Sequence, residues 1–257
     1  MEVTPDLTVV VETDGPSRLF EFLRSLHDTA GTAAFETIVL ISAGNTPVFD
    51  RIAKVFPEVL FYELSGRASR GQAANHALRL AKGRYVVLCA DFLTLQPQCL
   101  ENLLDFMDHT PEAGIAAPQI AYPDGQTVPI AQAALSPIPM LLNGFVKALP
   151  IVAQTFYHPK QPGGLRPTFA TEATWLTAHF LVVRSEVFEE IGLLDEKFAT
   201  PLESADFCRR AKQNGWHLYS LPTARALVTN RACLDRYSKY TISDLLRLAA
   251  KKWLHRP

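Results

Sequence analysis

Four short apolar runs, each followed by a helix-like segment, most constrain what this chain can fold into. The runs are Leu7 to Glu12, Thr37 to Ile41, Val59 to Leu64 and Arg84 to Cys89. They are rich in β-branched residues and do not alternate with polar ones, the pattern of strands buried on both faces. Pro16 and Ser17 open a helix after the first run, with Leu19, Phe20, Leu23 and Leu26 at helical spacing. Val48 to Phe56 reads as a second helix. Ser69 to Ala81 reads as a third, closed by Gly83 in a left-handed cap. Pro97 to His109 is again helical and Gly114 to Ile120 again a strand. Strands separated by helices of about 10 residues make βαβ units. The fold class is therefore α/β, with a mostly parallel central sheet flanked by helices. In such sheets ligands sit beyond the carboxyl ends of the strands. The loops after Glu12, Ile41, Leu64 and Cys89 are where chemistry belongs.

The pattern breaks between residues 129 and 167, which hold seven of the 18 prolines, a loop or lid with little regular structure. Order resumes near Glu172. Trp175 to Val183 reads as a strand, and Ser185 to Ile191 as a helix with Ser185 as N-cap. Leu202 to Asn214 reads as a helix ended by Gly215. Trp216 to Leu221 and Ala224 to Val228 read as two short strands around Pro222. The tail from Arg231 to Pro257 carries seven Lys and Arg against two Asp. Its Ile242, Leu245, Leu246, Ala249 and Trp253 share one helical face. Such a helix suits an anionic membrane surface or a protein partner, or packs on its own domain.

Charge and motifs remove several classes. Lys plus Arg is 25 against 26 Asp plus Glu, which argues against a nucleic-acid partner. Cys89, Cys99, Cys208 and Cys233 have no CxxC spacing, so reduced thiols are expected rather than zinc or disulfides. Met1 to Asp6 lacks a basic signal-peptide region, and no run of 18 apolar residues exists. The nearest approach is Ile138 to Ala153, interrupted by Asn143, Lys147 and Pro150. The expected location is cytoplasmic, peripheral to the inner face of the membrane. There is no GxGxxG, no GxxxxGK[ST], no GxSxG and no HExxH.

Two stretches carry the candidate chemistry. RGQAANHALRLAKGRYVVLCAD places Asp91 at the carboxyl end of a buried strand. A carboxylate there either caps the next turn or holds magnesium or manganese against two phosphates of a nucleotide. WLTAHFLVVRSEVFEEIGLLDEKFATPLESADFCRR places Glu203 and Asp206 three apart on one helical face. Either carboxylate can cap the helix or deprotonate an acceptor hydroxyl.

With these strings in view, the chain from Leu7 to Val228, apart from the proline-rich insertion, resembles the family 2 glycosyltransferases of the GT-A fold, rhamnosyltransferase-like branch. The resemblance implies one domain over 1–230, with a nucleotide-sugar-binding half (1–125), an insertion or lid (129–167) and an acceptor half (171–230), followed by a basic C-terminal helix (231–257). It implies inverting transfer of a sugar from a nucleotide-diphospho-sugar donor to a glycan or lipid-linked acceptor, with a divalent cation on the diphosphate. Residue by residue, Thr13 matches the opening motif, while Asp14 and Gly15 stand where Tyr and Asn are common. LISAGNTP matches the second-strand motif, with Ile41 or Ser42 in place of its base-binding Asp. Cys89-Ala90-Asp91 matches the metal triplet and keeps its last Asp. Glu203-Ser204-Ala205-Asp206 matches the late acidic motif, with Ser204 at the general-base position. Val228 stands where a late His is expected, with Asn230 two residues on. The resemblance thus implies Thr13, Asp14, Ser42, Asn75 and Asp91 on the donor side, with Asp91 as metal ligand, and Trp175 and His179 on the acceptor side. Because a Ser hydroxyl is no base near neutral pH, the catalytic candidates are Glu203 and Asp206. The alternative is a catalytically impaired copy that serves as a binding or scaffold partner.

Overall fold

The computed structural model describes residues 5–13, 15–31, 33–42, 46–64, 69–128, 130–132, 169–198, 202–237 and 241–254. Its first four strands, β1 (Leu7–Thr13), β2 (Phe35–Ser42), β3 (Val59–Leu64) and β4 (Tyr85–Ala90), lie parallel in the order β3-β2-β1-β4. Helices α1 (Pro16–Thr29), α2 (Thr46–Val55) and α3 (Arg70–Leu78) make the crossovers. After β4 come the short β5 (Leu93–Leu95), α4 (Cys99–His109), β6 (Ala113–Ala121) and β7 (Ala131–Gln132). Beyond the insertion lie β8 (Thr171–Glu172), β9 (Trp175–Leu176), β10 (Phe180–Arg184), α5 (Ser185–Ile191) and α6 (Leu202–Gln213). The chain continues through β11 (His217–Val228), α7 (Arg231–Tyr237) and α8 (Ile242–Leu254). β10 runs antiparallel between β4 and β6, and β11 runs parallel to β6. β5 and β8 pair antiparallel with β11, and β7 pairs with β9 in a separate ribbon.

The physical reasons are local. β1 and β4 are buried almost throughout, as a sheet covered on both faces requires. Pro16 stands at the first turn of α1, where its missing N–H leaves nothing unsatisfied. α1 buries Leu19, Phe22, Leu23 and Leu26. Phe20, expected on that face, is instead 38% exposed, because the stripe runs through Phe22. Ser69 and Gln72 form a reciprocal capping box that starts α3.

Several boundaries differ from expectation. α3 ends at Leu78 with Arg79 as a right-handed C-cap, so Gly83 is not a left-handed cap. It is needed for close approach: a Cβ there would lie 2.4 Å from the Thr8 nitrogen. The Thr8 hydroxyl accepts the Gly83 N–H at 2.8 Å and donates to Glu36 at 2.6 Å. Arg184, not Ser185, occupies the N-cap of α5. The expected strand from Trp175 to Val183 is two strands separated by a turn at Thr177–His179. The two strands expected around Pro222 are the single β11, whose register shifts between Leu221 and Arg225 to accommodate the proline. Within the proline-rich insertion, β7 is described, while residues 133–168, including the apolar Ile138 to Ala153, lie outside the described residues.

The tail forms two helices. Among the described side chains of α8, Asp244 and Leu248 are buried, while Leu246, expected on the apolar face, is 55% exposed. Lys251 reaches Asp195 at 2.6 Å and Asp206 at 3.1 Å, docking α8 on its own domain against α6. All four cysteines are free and buried. Among the described residues no helix is long and apolar enough to cross a membrane.

Candidate active site

Two polar clusters sit at the carboxyl ends of β1 and β4, one on each face of the sheet. The β1–β4 register pairs Glu12 with Ala90, so Thr13 and Asp91 come next to each other as the two strands end. The Thr13 hydroxyl donates to Asp91 Oδ2 at 2.5 Å and accepts the Gly15 N–H at 3.1 Å. Arg18 Nε lies 3.2 Å from both Asp91 oxygens. Gly15 makes room for that guanidinium, since a Cβ there would lie 3.0 Å from the Arg18 carbon Cζ. Sequence reasoning missed Arg18. Its signal is position: a cation in the first turn of a helix opposes the helix dipole and therefore needs a local anion.

Strand alternation points Glu12 to the opposite face from Thr13. There a narrow pocket is lined by Glu12, Arg70, Cys89, Leu181, Glu203 and Ser204, among others. Arg70, the first residue of α3, lies 3.5 Å from Glu203 Oε1 and 4.0 Å from Glu12. It also donates to the Ala178 carbonyl at 3.0 Å. Arg70 shares the signal of Arg18, a basic residue opening a helix. Glu203 is 2% exposed, and its Oε2 has no hydrogen-bond partner among the described residues. Burial pushes its carboxyl up to about 7, against the opposing pull of Arg70.

The other sequence candidates fall in different places. Asp206 is fully buried and meets Arg209 at 2.8 Å, Arg210 at 2.9 Å and Lys251 at 3.1 Å. Despite burial these cations hold its carboxyl below the usual range. It fastens α6 to α8 rather than facing the pocket. Asn75 donates to the Leu194 carbonyl and to Glu196, and accepts the Leu194 N–H, clamping α3 to the 192–198 loop. Trp175 is 1% exposed, and its indole N–H donates to Ser204 Oγ at 3.2 Å, so the Ser hydroxyl that replaces the expected base is engaged with the core. His179 is buried with Nδ1 2.6 Å from Thr177 Oγ1, and burial lowers it to about 3, so it is neutral. Val228 ends β11, and Asn230 accepts the Cys233 N–H at the start of α7. Ser42 ends β2, whose Ile41 pairs with Thr13, and Asp14 lies outside the described residues.

Among the described residues no group of three or more His, Cys, Asp and Glu is placed to hold a metal ion. Asp91 nevertheless fits a divalent cation shared with phosphates. Such ions take one or two carboxylates and complete their shell with substrate oxygens and water. Asp91 offers hard oxygens at the sheet edge and already draws a cationic side chain onto both of them.

Residues 11–192 match the family model described as glycosyl transferase family 2. N-acetylglucosaminyl-diphospho-decaprenol L-rhamnosyltransferase of Mycobacterium tuberculosis, in strains CDC 1551 / Oshkosh and H37Rv, is 26% identical over 245 residues, covering 88% of this chain and 76% of the relative. Among solved structures, GalNAc-T7 with UDP, GalNAc and Mn2+ superposes with a TM-score of 0.69 at 14% identity, covering 97% of this chain. The chain spans about half of that protein, 48% of its length. The mannosyltransferase PcManGT from Pyrobaculum calidifontis, in complex with GDP-Man and Mn2+, gives 0.57 at 17% identity, covering 99% of this chain and 71% of that one. At these identities the structures establish a shared GT-A fold. The strand order, the Asp at the end of β4 and a family match over most of the chain agree: the protein belongs to glycosyl transferase family 2.

Proposed function

We propose that this protein transfers a sugar from a nucleotide-diphospho-sugar to a glycan or lipid-linked acceptor, with inversion at the anomeric carbon. Glu203 is the observation that carries this reading. It is a buried carboxyl raised to about 7, with one oxygen uncommitted among the described residues, in a pocket at the carboxyl edge of the sheet. A base with that proton affinity is matched to neutral pH. The acceptor hydroxyl gives its proton to Glu203 Oε2, and its oxygen bonds to the anomeric carbon. The bond from that carbon to the diphosphate oxygen breaks on the opposite face, and the nucleoside diphosphate leaves. Arg70 holds Glu203 Oε1 in place, and Thr13 fixes Asp91. Asp91 would hold the divalent cation, which when bound offsets charge on the leaving diphosphate. The curated relatives support an L-rhamnosyl donor and a polyprenyl-diphospho-linked acceptor. Manganese in the GT-A neighbours supports that metal over magnesium. The surplus of Lys and Arg over Asp in the tail from Arg231 to Pro257 supports association with the inner face of the membrane.

The test is calorimetric titration of the folded chain with UDP, GDP and dTDP, with and without manganese. It is followed by mass detection of product from the matching nucleotide-sugars and a polyprenyl-diphospho-N-acetylglucosamine acceptor. Manganese-dependent binding of one nucleotide, lost in Asp91→Ala, and a product of the expected mass support the reading. No nucleotide binding by a folded sample overturns it in favour of a non-catalytic binding role.

A further inference from the structure

We infer that Arg18 is a displaceable counter-ion of Asp91, so that cation and nucleoside diphosphate enter this site as a coupled pair. The inference rests on the reading of Asp91 as the donor-side ligand. The Asp91 side chain is 4% exposed and that of Arg18 is 26% exposed, so the guanidinium is the solvent-facing member of the pair. Its Nε takes both carboxylate oxygens at 3.2 Å, the same oxygens a divalent ion would need. It rests close against the backbone of Gly15, in space that any side chain at that position would fill. Arg18 is in the first turn of α1, where the helix dipole repels a cation, so Asp91 holds it there against that field. Guanidinium also matches phosphate oxygens bidentately, which gives Arg18 a second partner of equal geometry when a diphosphate arrives.

Each ligand alone then meets an obstacle. A divalent cation alone faces a unit positive charge beside its carboxylate. A diphosphate alone can draw Arg18 off, and that takes one positive charge away from the buried Asp91. Together they exchange partners: Arg18 passes to phosphate and Asp91 passes to the metal. Thermodynamic linkage makes the coupling equal in both directions.

A diphosphate adds ligands to any cation it meets, so coupling in the wild type alone does not test the idea. The test is manganese binding by the full chain without nucleotide, read by electron paramagnetic resonance of the free ion. Calorimetry with UDP, GDP and dTDP runs in parallel, and thermal unfolding confirms the fold of each variant. Arg18→Met should bind manganese alone at least about fivefold more tightly than wild type. Fivefold is already the effect of one unit charge on another about 4 Å away in bulk water, and manganese carries two. The same variant should bind nucleotide more weakly. Arg18→Lys keeps the charge and should stay near wild type for manganese alone, a separation that a purely structural Arg18 would not produce. Equal manganese affinity in wild type and folded Arg18→Met, or equal tightening in Met and Lys, overturns the inference. Nucleotide binding by wild type in that case leaves the proposed function standing, and its absence from wild type overturns both. If Arg18→Met does not fold, Arg18→Gln takes its place with the same expectation.

Discussion

Replacing Glu203 with Gln should change both the pH dependence of stability and the rate of transfer. Folding raises this carboxyl from 4.5 to about 7, a roughly 300-fold gain in proton affinity. Each factor of ten is worth 1.36 kcal/mol, so ionising Glu203 costs the folded state about 3 kcal/mol. Because the folded form holds the proton more tightly, the fold is favoured below pH 4.5. It loses this contribution as pH rises through about 7. Gln cannot ionise, so the stability of Glu203→Gln relative to wild type should rise by about 3 kcal/mol between pH 4.5 and pH 8.5. For a chain of this size that is roughly 6–12 °C in Tm. The carboxylates held low by cations, Asp206 among them, titrate alike in both proteins and cancel in the difference. Differential scanning calorimetry at the two pH values measures it. Transfer by the variant should fall about 10²- to 10⁴-fold, the usual contribution of a general base. In the wild type kcat/KM should rise with pH through about 7, and the variant should lose that rise. A wild-type-to-variant difference in Tm that stays flat with pH would refute the burial argument, and transfer within about tenfold of wild type would refute the catalytic one.

Asp206→Asn removes the charge shared by Arg209, Arg210 and Lys251 and should cost about 3–5 kcal/mol, as broken buried ion pairs do. Limited proteolysis should then cut within residues 241–254 before the rest of the chain is attacked. Gly83→Ala should lose about 3 kcal/mol in urea unfolding, because its Cβ would meet the Thr8 nitrogen and the Leu7 carbonyl carbon at 2.4 and 2.6 Å and β1 must shift.

The parallel half of the sheet was readable because each strand is a continuous β-branched run with helical periodicity between. The turn at Thr177–His179 was hidden because it contains neither Gly nor Pro, the residues that usually mark one. Pro222 misled in the other direction: a register shift lets β11 carry it without ending. Strand direction was beyond reach, since the buried Phe180–Arg184 run looks the same in a parallel or antiparallel ladder. At the site, Asp91 was visible because a strand delivers it to the sheet edge. The apolar environment of Glu203 depends on residues from β1, α3 and β10, and no local window contains them. Arg18 and Arg70 looked like ordinary helix-opening residues, and only their unfavourable place against the helix dipole marked them.

The antiparallel insertion of β10 between β4 and β6 has a consequence for how the chain is made. Synthesis completes β4 at Ala90, but the strand that covers its outer edge starts only at Phe180, about 90 residues later. At about 5–20 residues per second that interval lasts roughly 5–20 s. During it the nascent chain presents YVVLCA with one row of backbone donors and acceptors open, a template for pairing with another copy. Pairing over so long a separation also has to overcome a large loop-closure entropy. Ribosome-bound fragments ending between about residues 120 and 170 should therefore be the aggregation-prone ones, and lengthening them past Arg184 should suppress it.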